Sequence, residues 1–150
     1  MSLIKSISGI RGTIGGKQGE GLSPLDVVKF TSAFAAFLKK RSDKEKLQLV
    51  VGRDARISGQ MVDSLVVGTL LGMGIDVIET GLSTTPTVEV AVVDKKADGG
   101  IIITASHNPY MYNGIKVFTS CGKDADLTET AEIEAETYKV VDVKTVDYET

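Results

Sequence analysis

The chain has 150 residues, 42% of them hydrophobic and 25% charged, which suffices to bury one core and is ordinary for a globular domain. A net charge of −3 gives no sign of a polyanion-binding protein, and a single cysteine, Cys121, excludes a disulfide framework and a cysteine-rich zinc site, leaving a buried or incidental thiol. No apolar run reaches membrane-spanning length, few aromatics are available to stack on nucleic acid, and the start MSLIKSISGIRG lacks the features of a signal peptide, so a cytoplasmic protein with neither a membrane nor a nucleic-acid partner is expected.

In chain order, a short strand is expected near Ile4 to Ile7. The following SGIRGTIGG is rich in glycine and without periodicity, so Ser8 to Gly21 reads as a loop. Ser23 offers an N-cap, with Pro24 at the first helical position and Asp26 at the third. Behind it Val27, Phe30, Phe34, Phe37 and Leu38 recur at helical spacing before the basic end Lys39, Lys40, Arg41. Leu47 to Gly52 has the apolar, β-branched form of a buried strand, and RDARISG follows as a polar loop. A helix is expected from Gln60 to Met73, ending at Gly74, then a strand over IDVIETG and a loop over LSTTP. Thr87 to Lys95 reads as helix, and Gly99 and Gly100 precede the strongest strand, IIIT. After ASHNPYMYNG come a short apolar segment, IKVF, a turn at Gly122 and a short helix from Leu127 to Glu136.

Strand and helix thus alternate, the signature of an α/β domain: three layers (αβα), with a mixed, mostly parallel sheet and helices on both faces. The loops after the strands should gather at one edge, where such sheets bind ligands. The last stretch, TYKVVDVKTVDYET, is either a terminal strand or a segment leading towards another domain.

IIITASHNPYMYNGIK is the chemical centre of the sequence. Ser106 follows a buried strand, Thr104, His107 and Asn108 stand beside it, and Gly114 offers a turn that would bring Lys116 back to the same place. A hydroxyl surrounded by donors and a cation suits phosphoryl transfer. Adjacent Ser106 and His107 do not by themselves make a hydrolytic dyad, because such pairs depend on spatial roles. On the residues alone, a polar loop with local turn hydrogen bonds stays open. Arg11, between glycines, can fork onto phosphate oxygens or be an ordinary exposed arginine. In GRDARISG, Arg53 and Asp54 can pair, while Arg56 and Ser58 can bind an anion or cap the next helix. Neither a P-loop nor a dinucleotide-binding glycine fingerprint is present, and His107 is the only histidine, so no metal-ligand cluster is evident.

Together, TASHNP followed by NGIK, with SGIRG, VGRDAR and STTP before them, resemble the first domain of the α-D-phosphohexomutase superfamily, which includes phosphoglucomutases, phosphomannomutases and phosphoglucosamine mutases. The resemblance implies that residues 1–150 form domain I of a longer enzyme, with the remaining domains as its partners around a cleft. It implies that Ser106 carries a phosphoryl group and gives it to a hexose phosphate, interconverting the 1- and 6-phosphates of glucose or mannose through a bisphosphate. Phosphoglucosamine mutase, or a non-catalytic phosphosugar- or anion-binding domain, is the alternative. It further implies Mg²⁺, bound by Ser106 through its phosphate and by aspartates of a DGDxDR loop in a second domain, with hexose 1,6-bisphosphate as activator. Lys116 falls on a lysine of proton transfer and phosphate contact, and Arg11 on an arginine around the reacting phosphate. The resemblance places His107, Asn108, Thr104 and Arg53 as substrate-binding or loop-shaping residues, with His107 and Asn108 at the serine loop and Arg53 as an architectural or loop-positioning arginine. No DGDxDR loop occurs here, so the chain alone should show no significant mutase turnover, and self-association through uncovered apolar surface is expected.

Overall fold

Local signals account for most elements of the chain, whose computed structural model describes residues 3–6, 9–15, 17 and 20–139. Ser23 opens α1 (Pro24–Lys40): its hydroxyl accepts from the Asp26 amide at 3.3 Å while the Asp26 carboxylate accepts from the Ser23 amide at 3.0 Å. This reciprocal box satisfies amides that a bare helix start leaves open, a contribution of about 1 kcal/mol. The apolar runs form β3 (Gln48–Arg53) and β5 (Gly99–Ile103), and α2 (Gly59–Gly72), β4 (Asp76–Leu82) and α3 (Thr85–Asp94) lie between them in the chain. β1 (Ile4–Ser6), β2 (Gly9–Thr13), β6 (Tyr112–Thr119) and α4 (Leu127–Thr137) complete the described elements.

The strands form one sheet in the order β1-β2-β6-β5-β3-β4. β3 pairs in parallel with β4 and β5, whereas β5–β6, β6–β2 and β2–β1 are antiparallel. β2, β3, β4 and β5 therefore share one direction, but the pairing is more antiparallel than strand–helix alternation suggests, because β6 returns from β5 without a crossover helix. Alternate residues face opposite layers, as the pleat requires. Leu49, Val51, Ile101, Ile103, Ile115 and Val117 share a core with Phe34 of α1, Val62 and Val66 of α2 and Ile133 of α4. Val50, Ile102 and Phe118 pack with Val88 and Val92 of α3. This is the expected three-layer arrangement with helices on both faces. α4 is fastened to α1 by the Lys40–Glu136 pair and by Arg41 to Glu129 and Glu132, at 3.0 and 3.1 Å.

Several expectations need correction. Part of the segment expected as a loop over Ser8 to Gly21 is strand β2. A Cβ built on Gly9 would lie 2.2 Å from the Ile115 carbonyl oxygen, so glycine here permits close approach to β6 and removes the side-chain period that marks a strand. Gly99 and Gly100 lie inside β5, not before it. Gly114 lies inside β6 and makes no turn; the chain reverses earlier, where the Tyr112 amide donates to Pro109 O at 2.9 Å. Cys121 is exposed, and the Thr119 hydroxyl holds its thiol below the ordinary range. The tail beyond Lys139 lies outside the described residues. Among those residues, no helix is long and apolar enough to cross a membrane.

Asp63 on α2 is a local electrostatic conflict. Partial burial raises its pKa above the ordinary value, and the neighbouring Glu79 charge adds to that. A raised folded-state pKa means that the native chain binds more protons here than the unfolded chain, so this group's contribution declines as pH rises from 3.8 through the folded value. Asp63→Asn is therefore expected to raise the unfolding midpoint at pH 7 and to have less effect near pH 4. Equal shifts at both pH values in thermal melts would refute the assignment.

Candidate active site

The site is built where β5 ends. The Thr104 amide donates to Gly114 O at 3.0 Å, continuing the contact with β6 beyond the last strand residue. Its hydroxyl donates to Asp54 Oδ2 at 2.7 Å and accepts from the Ser106 amide at 3.0 Å. Ser106 is exposed and has φ +53°, a left-handed conformation that costs a non-glycine residue about 1 kcal/mol or more. Such strain at a ligand edge is a pointer to function. His107 Nδ1 stands 3.5 Å from Ser106 Oγ, the outer edge of hydrogen-bonding distance. The Asn108 amide closes a tight turn by donating to Ala105 O at 3.0 Å.

The antiparallel pairing of β2, β6 and β5 delivers the cations. Arg11 is opposite Gly114, and Lys116 is paired with Gly9 on one side and Ile102 on the other. Arg11 Nη1 reaches the Asn108 side-chain oxygen at 3.3 Å. Lys116 Nζ forms an ion pair with Asp124 at 3.0 Å, both side chains remaining substantially exposed. Arg11, Thr104, Ser106 and Lys116 line one cavity of about 790 Å³, together with Lys5 and Asp124. Lys5 is paired with Glu134 at 3.0 Å and Lys116 with Asp124, while the Arg11 guanidinium meets, among the described residues, only a neutral amide oxygen in Asn108, so the cavity carries positive charge that favours an anionic ligand. Thr85 lines the same cavity, so the first residue of α3 also converges on it.

Arg53 does not join this cluster. Its guanidinium donates to the Asp54 carbonyl oxygen at a long 3.4 Å, and among the described residues it makes no hydrogen bond to the serine loop. The expected Arg53–Asp54 side-chain pair is replaced by Arg56–Asp54, with Nε donating to Oδ2 at 3.1 Å. Arg56 is the residue that sequence reasoning undervalued. It donates to the carbonyl oxygens of Ser106, Asn108, Pro109 and Tyr112 at 2.7, 2.9, 2.8 and 3.0 Å. These contacts use its donors inside the protein, so it is neither a free anion binder nor a helix cap. The DxR spacing signals the ion pair, but backbone acceptors leave no mark in a sequence. Ser58 makes no side-chain cap either; its hydroxyl accepts from Asn113 Nδ2 at 2.9 Å.

The Mg²⁺ implied by the resemblance finds no complete ligand set here. Among the described residues no group of three or more histidine, cysteine, aspartate or glutamate side chains is placed to hold a metal. Asp54 is committed to Arg56 and Thr104, and Asp124 to Lys116. These residues do not make a Mg²⁺ site by themselves.

Residues 3–143 match the family model described as phosphoglucomutase/phosphomannomutase, alpha/beta/alpha domain I. The chain is 43% identical over 107 residues to a phosphoglucosamine mutase of Nautilia profundicola, an alignment covering 71% of this chain and 23% of that protein. It is also 43% identical over 113 residues to a phosphoglucomutase/phosphomannomutase of Thermococcus kodakarensis, covering 74% and 25%. The crystal structure of the exocytosis-sensitive phosphoprotein parafusin (phosphoglucomutase) from Paramecium aligns with a TM-score of 0.72 at 27% identity, covering 99% of this chain and 28% of that one. The chain spans about a quarter of the length of the curated relatives it matches. With its three-layer fold and the loop order from Arg11 to Lys116, the chain belongs to the phosphoglucomutase/phosphomannomutase family and has the fold of its alpha/beta/alpha domain I.

Proposed function

We propose that this chain is the phosphoryl-carrying domain of a phosphosugar mutase acting on a hexose or hexosamine phosphate, with Ser106 as the carrier. The observation that carries this reading is the strained, exposed Ser106 on a cation-lined cavity shared with Arg11 and Lys116. In the forward step the P–O bond to Ser106 Oγ breaks as a sugar hydroxyl oxygen bonds to phosphorus, and the proton lost from that hydroxyl ends on Ser106 Oγ, restoring the serine hydroxyl. The reverse step, from the bisphosphate, returns a phosphoryl group to Ser106. Arg11 and Lys116 offset the negative charge on the transferring group, for which cations fixed in place beforehand are effective. Lys116, whose Nζ stands 3.0 Å from Asp124, contacts the phosphate, and handling the hydroxyl proton is a second role for the same side chain. Asn108 supports Arg11, and Thr104 supports the serine amide. Exposed Val90 and Val93 on α3 offer apolar surface for neighbouring domains or a second copy to cover. Mutase turnover is assigned to an assembly that supplies metal ligands from outside these residues.

The test is intact mass after incubation with hexose 1,6-bisphosphate and Mg²⁺, with Ser106→Ala as control. A phosphoryl-sized gain in the chain and none in the variant is expected. Binding of the bisphosphate without any mass gain would instead favour a non-catalytic anion-binding domain.

A further inference from the structure

We propose that Arg56 is a positioning residue for the phosphoryl carrier: its guanidinium fixes the backbone of the serine loop so that the Ser106 hydroxyl stands on the cation-lined cavity. The inference rests on the reading of Ser106 as phosphoryl acceptor. Ser106 lies beyond the last ladder residue of β5, so sheet pairing does not set its φ and ψ. Both peptide groups flanking its Cα are instead held by one network. On the amide side, Ser106 N–H donates to Thr104 Oγ1, which in turn donates to Asp54 Oδ2. On the carbonyl side, Ser106 O accepts from Arg56 Nη2 at 2.7 Å, and Arg56 Nε donates to the same Asp54 oxygen. The two arms meet at Asp54 and together fix the left-handed turn, and with it the direction of the Cα–Cβ bond.

Four carbonyl oxygens from residues 106 to 112 converge on this one guanidinium. Without a cation their dipoles would repel, and the loop would open. A planar fork with five donors can serve them and a carboxylate at once, whereas the three donors of a lysine cannot. The Arg56 side chain is only 12% exposed, which protects these bonds from competition by water. Arg11 acts differently, meeting the loop through the Asn108 side chain and lining the cavity, where Arg56 does not. Arg56 therefore acts through Ser106 without touching the transferring group.

Arg56→Lys and Arg56→Gln test this with two readouts on the same chain. The first is the rate at which Ser106 gains a phosphoryl group from hexose 1,6-bisphosphate, and the second is amide hydrogen exchange resolved by segment. Both variants are expected to gain phosphate more slowly by tenfold or more, on the order of the penalty for misplacing a reacting group. Exchange should rise over residues 105–112 while α1 and β3 keep their protection. Lysine retains the charge yet should not rescue the rate, an outcome that a simple ion pair with Asp54 would not produce. A normal rate in Arg56→Lys, unchanged exchange in the loop, or a rise spread over the whole domain would each overturn the proposal. If the unaltered chain gains no phosphate, it is the Ser106 reading that fails, and the exchange pattern alone then decides for or against Arg56.

Discussion

Ser106→Gly is expected to abolish phosphoryl uptake and at the same time to raise the unfolding midpoint. Ser106 is held at φ +53°, where a Cβ crowds the neighbouring carbonyl, and glycine adopts that conformation without the clash. Relief of about 1 kcal/mol, reduced by the greater freedom of glycine in the unfolded chain, translates into a rise of about 2 °C for a domain of this size. Ser106→Ala should abolish uptake equally but keep the strain, leaving the midpoint close to that of the unaltered chain. The pair of variants separates loss of the hydroxyl from change in the backbone. Stabilisation by glycine with complete loss of uptake would mean that the serine is retained for chemistry at a cost in stability. A glycine variant that melts well below the alanine variant would show that the turn is not strained.

Gly114→Ala is expected to produce the largest loss of stability among these variants, about 3 kcal/mol. A methyl group there would sit 2.7 Å from Thr104 O, 2.8 Å from Ile10 O and 2.9 Å from Arg11 Cβ. Two of the three obstacles are backbone atoms on the flanking chain segments, so no rotamer change can make room. The sheet must part on one side of β6 or the other. Either movement shifts Arg11 or Thr104 relative to Ser106, so phosphoryl uptake should fall together with the denaturant midpoint. A Gly114→Ala chain of full stability and normal uptake would contradict this account of how β2, β6 and the end of β5 fit together.

How far the sequence reveals this molecule depends on where each element finds its partners. α1 is legible because the signals that start it, Ser23, Pro24 and Asp26, act on one another within a single turn. β3 and β5 are legible because burial on both faces writes an unbroken apolar run. β2 is not legible, since its Gly9 answers to backbone atoms of β6 far along the chain. The chemistry divides in the same way. Ser106, Arg11 and Lys116 are suggested by residue type and motif, and the fold brings them to one cavity. Arg56 is hidden among ordinary surface arginines because four of its partners are carbonyl oxygens, which every residue possesses. The left-handed turn at Ser106 is hidden too, because no side chain announces it.

The central position of β6 also sets an order of events during synthesis. Gly9 to Thr13 leave the ribosome early, but the strand they join is not complete until Thr119 has been made. Arg11 and Asn108, which meet in the finished site, are 97 residues apart in sequence. Closing so long a loop costs entropy before any contact repays it, so the pairing that brings in β2 belongs to the late, slow part of folding. Until then the glycine-rich β2 has only the neighbouring β1 as a strand partner and leaves its other edge open, with few side chains to drive misplaced association, a safer strand to keep waiting than an apolar one.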